Sequence, residues 1–317
     1  MILNKIIIGT RGSLLAVAQA EKVKDMLTEK YKELRKKGII INGFEDIESI
    51  NIELKTIVTS GDKDLRDFKK IKGDSQKNLF VKEIEKEMIN KTIDFAVHSL
   101  KDMPQITPNG LENVCFPLRE DNRDVLISKN GKKLEDLLEN SRIGTGSTRR
   151  EAELRTLLNE RKDIIIKGIR GNIHTRIRKL HDGEYDAIIL AAAGLKRTGL
   201  EKNITEYFDE NYFMPAPGQG ILCIQCRNDD KKIKNLLKII DNKEVRIMCE
   251  AEREFSKIFN GGCHTPIGCS SKIEGENIII KGVYNYDKKR VFKEIIGNKN
   301  DAVKLSQKLA EKIKEEI

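Results

Sequence analysis

Lys5-Ile6-Ile7-Ile8-Gly9-Thr10-Arg11-Gly12-Ser13 is an apolar β-branched run that ends in glycine, a hydroxyl and an arginine, and the stretch Leu15–Lys37 follows it with helical periodicity. Strand, short loop and helix in that order form the repeating unit of α/β proteins. The alternation recurs. Ile50–Thr59 and Phe95–His98 suit strands around a helix at Phe80–Ile89. Val125–Ser128, Arg142–Gly144, Ile164–Gly168 and Ala187–Leu190 suit strands of a second unit, with helices at Arg149–Asn159, Asn172–His181 and Ala193–Gly199. From about Glu244 the pattern changes to a helix reaching Phe259, strands Ile278–Tyr286 and Arg290–Ile296, and a terminal helix. The expectation is two α/β domains followed by a small α+β domain.

The 317 residues carry 38% hydrophobic and 34% charged side chains, a composition that supports several globular domains. No run approaches the roughly 18 apolar residues of a membrane span, and the short apolar N-terminal run lacks the form of a signal peptide. A soluble cytoplasmic protein is expected, with its six cysteines reduced. Cys223 and Cys226 form a C-x-x-C inside an apolar strand, where positions three apart face opposite ways, so no metal site is expected.

The formal charge of +9 admits nucleic acid, acidic membranes or a polyanionic small molecule. Much of the lysine excess is interleaved with glutamate along helices, as on ordinary solvated faces. The arginines instead gather in loops: Thr10-Arg11-Gly12-Ser13, Gly144-Thr145-Gly146-Ser147-Thr148-Arg149-Arg150, and Arg170-Gly171-Asn172-Ile173-His174-Thr175-Arg176. A loop of that composition before a helix directs N–H groups, hydroxyls and guanidinium forks at an anion beside the positive end of the helix dipole. The same Ser, Thr and Asn residues also suit simple helix caps. Aromatic content is 5% without tryptophan, which leaves single-stranded nucleic acid few stacking platforms, so carboxylate or phosphate recognition fits better.

Two further segments carry chemistry. Val97-His98-Ser99-Leu100-Lys101-Asp102-Met103-Pro104 delivers a lysine and an aspartate at the end of a strand, where α/β folds place reactive groups; an ordinary surface ion pair is the alternative. Asn260-Gly261-Gly262-Cys263-His264-Thr265-Pro266-Ile267-Gly268 sets a thiol on a turn stripped of bulk, either an attachment point or an incidental surface cysteine.

These segments, with Pro215-Ala216-Pro217-Gly218-Gln219-Gly220, together resemble the porphobilinogen deaminase (hydroxymethylbilane synthase) family, over about residues 5 to 270 and on into the terminal domain. The resemblance implies two type II periplasmic-binding-protein-like domains with mixed sheets and a small α+β C-terminal domain. Their boundaries would be 1–117 with 221–240, 118–220, and 241–317. It implies a dipyrromethane cofactor on Cys263 through a thioether, and stepwise condensation of four porphobilinogen molecules with loss of ammonia before hydrolytic release of the linear tetrapyrrole. Asp102 would stabilise the cation formed as ammonia leaves, an interaction worth about 4 kcal/mol at 4 Å and an effective dielectric near 20. Cys263, Lys101, Asp102, Thr145, Ser147, Arg149 and Arg150 would hold the cofactor. Arg11, Ser13, Lys77, Arg149, Arg150, Arg170, Arg176 and Gln219 would meet the substrate, whose growing chain carries about twelve carboxylates at six rings; charge-assisted hydrogen bonds contribute roughly 1.5–3 kcal/mol each. No metal, nucleic-acid or membrane partner is implied, and a monomer is. Thr59-Ser60-Gly61-Asp62 lacks the arginine usual in the family, and the loop Lys69–Asn78 is longer than usual.

A non-catalytic anion binder would share the arginine loops but have no use for Cys263 or a third domain. A nucleic-acid binder would need a continuous basic stripe and a steep salt dependence. Consumption of porphobilinogen separates both from the enzyme.

Overall fold

Residues 5–60, 75–159, 161, 163–261, 265–286 and 289–317 are described by a computed structural model, the side chains of 75–80 lying outside that description. The chain forms two units, Met1–Arg119 with Ile221–Arg246 and Glu120–Gly220 with Ile247–Ile317. The first opens with β1 (Lys5–Arg11), α1 (Leu14–Lys36), β2 (Asn51–Ile57), α2 (Ser75–Ile89), β3 (Phe95–Ser99), a 3-10 turn at Leu100–Asp102 and β4 (Leu111–Cys115). The second takes up β5 (Asp124–Ser128), β6 (Arg142–Gly144), α3 (Thr148–Leu158), β7 (Ile165–Lys167), α4 (Ile173–His181), β8 (Ala187–Ala191), α5 (Ala192–Arg197) and β9 (Glu206–Tyr207). The chain returns to the first unit for β10 (Leu222–Arg227) and α6 (Lys231–Leu237), then leaves along α7 (Lys243–Ile258). β11 (Ile267–Glu274), β12 (Asn277–Tyr286), β13 (Lys289–Asn298) and α8 (Ala302–Lys314) complete the second unit.

Two five-stranded sheets follow one plan. The first has the order β2-β1-β3-β10-β4 and the second β7-β6-β8-β5-β9. In each, three strands run parallel and the fourth, β10 or β5, runs antiparallel to its neighbours. In each, that fourth strand is the one delivered just after the chain crosses between units. This is the mixed order of type II periplasmic-binding-protein domains, so the α/β architecture implied by the resemblance is present. Helices cover both faces: Ile6, Ile8, Phe95, Val97 and Ile224 pack with Val23, Leu27 and Tyr31 of α1 on one side, while Ile57 and Ala96 pack with Ile84 and Met88 of α2 on the other. The third sheet, β11-β12-β13, is antiparallel and buries Ile278 and Ile280 with Phe255 of α7 and Leu309 and Ile313 of α8.

The strands and helices expected from periodicity are present within a few residues of their expected ends. β4, β9, α6 and β11 were not expected. β11 hides behind Cys269-Ser270-Ser271, small polar residues that lower strand propensity yet are buried here because carboxylates accept from both serines. Among the described residues no helix is long and apolar enough to cross a membrane.

Candidate active site

Parallel pairing of Gly9 with Ala96 brings the ends of β1 and β3 side by side, so the Arg11–Ser13 loop and the Leu100–Asp102 turn open on one cleft. Arg11, Ser13, Gln19, His98, Ser99 and Asp102 line it. The local chemistry explains its shape. Ser13 caps α1 by accepting from the Ala16 amide at 3.3 Å, buried Thr10 donates its hydroxyl to the Ala16 carbonyl at 3.0 Å, and Gln19 Nε2 donates to Ser99 Oγ at 2.9 Å, tying the first turns of α1 to β3. Asp102 is exposed and Lys101 half-buried, while Pro104 ends the 3-10 turn.

Behind the cleft runs a buried polar chain that sequence reading passed over. His98 and Gln225 share the α2-facing side of the sheet, since Cys223 pairs with His98 and Gln225 with Ala96. Gln225 Nε2 donates to Glu85 Oε1 of α2 at 3.1 Å. Burial pushes the His98 imidazole down to about 4, with the Arg11 charge acting the same way and the Gln225 side chain opposing; burial also pushes the Glu85 carboxyl up, against the Gln225 hydrogen bond. A polar residue inside an otherwise apolar strand was the one available signal.

In the second unit Ser147 caps α3, accepting from the Arg150 amide at 3.4 Å, and Thr145 Oγ1 accepts from the Ser147 amide at 3.2 Å. Arg149 and Arg150 follow in the first turn, and both are buried around Asp124 of β5, which is 0% exposed. Arg149 Nη2 reaches Asp124 Oδ2 at 2.7 Å, Arg150 Nε and Nη2 reach Oδ1 at 3.0 and 2.7 Å, and Gln219 Nε2 joins them at 3.0 Å. The guanidiniums also donate to the carbonyls of Met214 and Ile189. Burial lowers the Arg149 pKa and Asp124 opposes it. The structure therefore brings Arg149, Arg150 and Gln219 together on one aspartate absent from the sequence-derived candidates. Within Glu120-Asp121-Asn122-Arg123-Asp124 it reads as one more charged loop residue. Arg170 and Arg176 stand apart on the next loop and on α4, where Asn172 caps the helix and Arg176 Nε donates to the Gly171 carbonyl at 2.7 Å.

Residues 6–235 match the family model for the porphobilinogen deaminase dipyromethane cofactor binding domain, and 246–315 match the porphobilinogen deaminase C-terminal domain. The chain belongs to the porphobilinogen deaminase family. A porphobilinogen deaminase of Fusobacterium nucleatum is 47% identical over 99% of both chains, and one of Clostridium perfringens strain SM101 is 43% identical over 99% of this chain and all of that one. Among solved structures, a YaeC-family lipoprotein from Enterococcus faecalis V583 overlaps 81% of this chain and 97% of its own at 18% identity and a TM-score of 0.42, so loosely that the fold assignment rests on strand order.

Two fully buried carboxylates fasten the third sheet of this deaminase-family chain to the segment Met214–Gly220. Glu153 accepts from the Met214 amide at 3.2 Å, Asn285 Nδ2 at 2.8 Å and Arg290 Nε at 3.1 Å. Glu252 accepts from the Gly218 amide at 2.7 Å and from the Ser271 amide and hydroxyl at 2.8 and 2.7 Å. Cys263 lies outside the described residues, as do the Lys77 side chain and the loop 69–74.

Proposed function

We propose that the chain condenses four porphobilinogen molecules head to tail, forming carbon–carbon bonds with loss of ammonia, on a dipyrromethane primer held by a thioether to Cys263, and releases the linear tetrapyrrole by hydrolysis. The observation that carries the reading is the cleft of the first unit: an exposed carboxylate, Asp102, opposite a helix N-terminus with Arg11 and Ser13, in a chain of this family. That donor set fits an anionic pyrrole. When bound, the dipyrromethane supplies a pyrrole carbon able to accept the first new unit. Arg149 and Arg150, with Thr145, Ser147 and Lys101, would hold its carboxylates. Among the described residues, hydrogen bonds engage two of the five N–H donors of Arg149 and three of those of Arg150. Arg11, Ser13, Lys77, Arg170, Arg176 and Gln219 would take the substrate.

Asp102 works by charge and by proton handling. Its carboxylate would meet a pyrrole N–H and the departing ammonium, stabilising the cation that develops on the ring. The proposal extends to a cytoplasmic monomer and to the three-domain division given above, both of which the family resemblance implies.

Intact mass of the purified protein beside its Cys263→Ser variant tests the reading. Wild type alone is expected to carry the mass of two condensed pyrrole units and to release ammonia from porphobilinogen. An unmodified wild type that gains nothing on incubation with porphobilinogen overturns it.

A further inference from the structure

The cleft wall holds one group that the proposed chemistry leaves unused. His98 lines the cleft and is 7% exposed, and it is carried by the strand that ends at Asp102. Among the described residues its Nε2, sealed from solvent, has no hydrogen-bond partner, and the same holds for Oε1 of Gln225 on the same face of the sheet. The only acceptor atom of the Gln225 carboxamide is that Oε1, while its Nε2 donates to Glu85. A turn of the imidazole toward Gln225 would complete a chain in which His98 Nε2–H donates to Gln225 Oε1 and Gln225 Nε2 donates to Glu85. In a neutral imidazole, a proton on Nε2 leaves Nδ1 a bare acceptor, and the inner nitrogen cannot be the one that meets a ligand. The carboxylate, carboxamide and imidazole stand in the order that orients a histidine in many active sites, where the outer group sets tautomer and ring plane for the inner one.

Building on the deaminase reading, we infer that His98 is a hydrogen-bond acceptor for the pyrrole substrate, offering Nδ1 to one of its N–H groups from a ring oriented by Gln225 and Glu85. Asp102 then supplies the negative charge of the cleft and His98 an uncharged acceptor beside it. The arrangement places an N–H donor without adding a second anion to a pocket that must also admit carboxylates.

Two substitutions separate the nitrogens. The amide of asparagine sits as far along the side chain as Nδ1, and that of glutamine as far as Nε2. His98→Asn is expected to keep kcat/KM for porphobilinogen within about threefold of wild type, and His98→Gln to lose about tenfold, the loss typical of one hydrogen bond. Thermal midpoints of both variants report whether they fold. In parallel, histidine-15N NMR of wild type, with four histidines in the chain and the His98 signals assigned by their absence from a variant spectrum, should show an Nε2–H tautomer whose Nδ1 resonance shifts on adding porphobilinogen. An Asn variant as impaired as the Gln variant, or an Nδ1 resonance unmoved by saturating substrate, overturns the inference. Wild type that releases no ammonia from porphobilinogen overturns the deaminase reading itself, a failure distinct from either His98 result.

Discussion

Asp102 stands in solvent while His98, four residues earlier, is largely buried in the cleft wall, and their substitutions should behave in opposite ways. Asp102→Asn removes the charge from an exposed site, so turnover of porphobilinogen is expected to fall about 10²–10⁴-fold with the thermal midpoint unchanged, as steady-state kinetics beside a melting curve would record. His98 acts on stability through pH. Its folded pKa of about 4 lies below the 6.5 of the free side chain. The folded state therefore resists protonation, and the contribution is fully present above pH 6.5 and is lost as pH falls through about 4. The melting temperature of wild type should accordingly drop more steeply between pH 6.5 and 4 than that of His98→Asn. Equal slopes would mean that His98 titrates normally in the folded protein.

Loops and caps show what local sequence specifies. Ser13, Ser147 and Asn172 each cap the helix that follows, so the capping reading of the three arginine loops was correct for those side chains, and the arginines are what distinguishes one loop from another. Arg149 and Arg150 turn inward to Asp124, whereas Arg176 folds back on its own loop. The loops were legible because strand, glycine, hydroxyl and helix are adjacent in sequence. Asp124, His98 and Gln225 were not, because their partners lie 25 to 140 residues away and a carboxylate on β5 looks like any other charge until α3 is folded against it. Asp124→Asn leaves two buried guanidiniums undercompensated and is expected to destabilise by about 3–5 kcal/mol in a denaturant titration. Glycines give a sharper contrast. Gly220 has φ +85° and a Cβ there would collide with the Glu120 carbonyl oxygen, whereas a Cβ on Gly12 would meet nothing within 4 Å. Gly220→Ala should cost roughly 1–3 kcal/mol or more, and Gly12→Ala no more than about 0.5 kcal/mol, by the same titration.

At the scale of the molecule, the succession of two α/β regions and a small α+β region followed from periodicity, while the bonds fastening the third sheet within the second unit did not, since they depend on Glu153 and Glu252 in helices that read as amphipathic and charged. Glu252→Ala would strand three donors, each at about 1–3 kcal/mol. Calorimetry should then show β11–β13 melting separately, where wild type is expected to melt this unit in one transition; a single unchanged transition in the variant would mean that Glu252 is not the fastening. The interleaved sheets also have a consequence for synthesis. Among the described residues β4 pairs with β10 alone, and about a hundred residues separate them. At a synthesis rate of about 5–20 residues per second, the growing chain waits roughly 5–20 s with the edge of β3 uncovered and β4 unattached. During that interval the nascent chain presents an open strand edge to whatever shields it on the ribosome, and the first sheet closes only after every strand of the second has emerged.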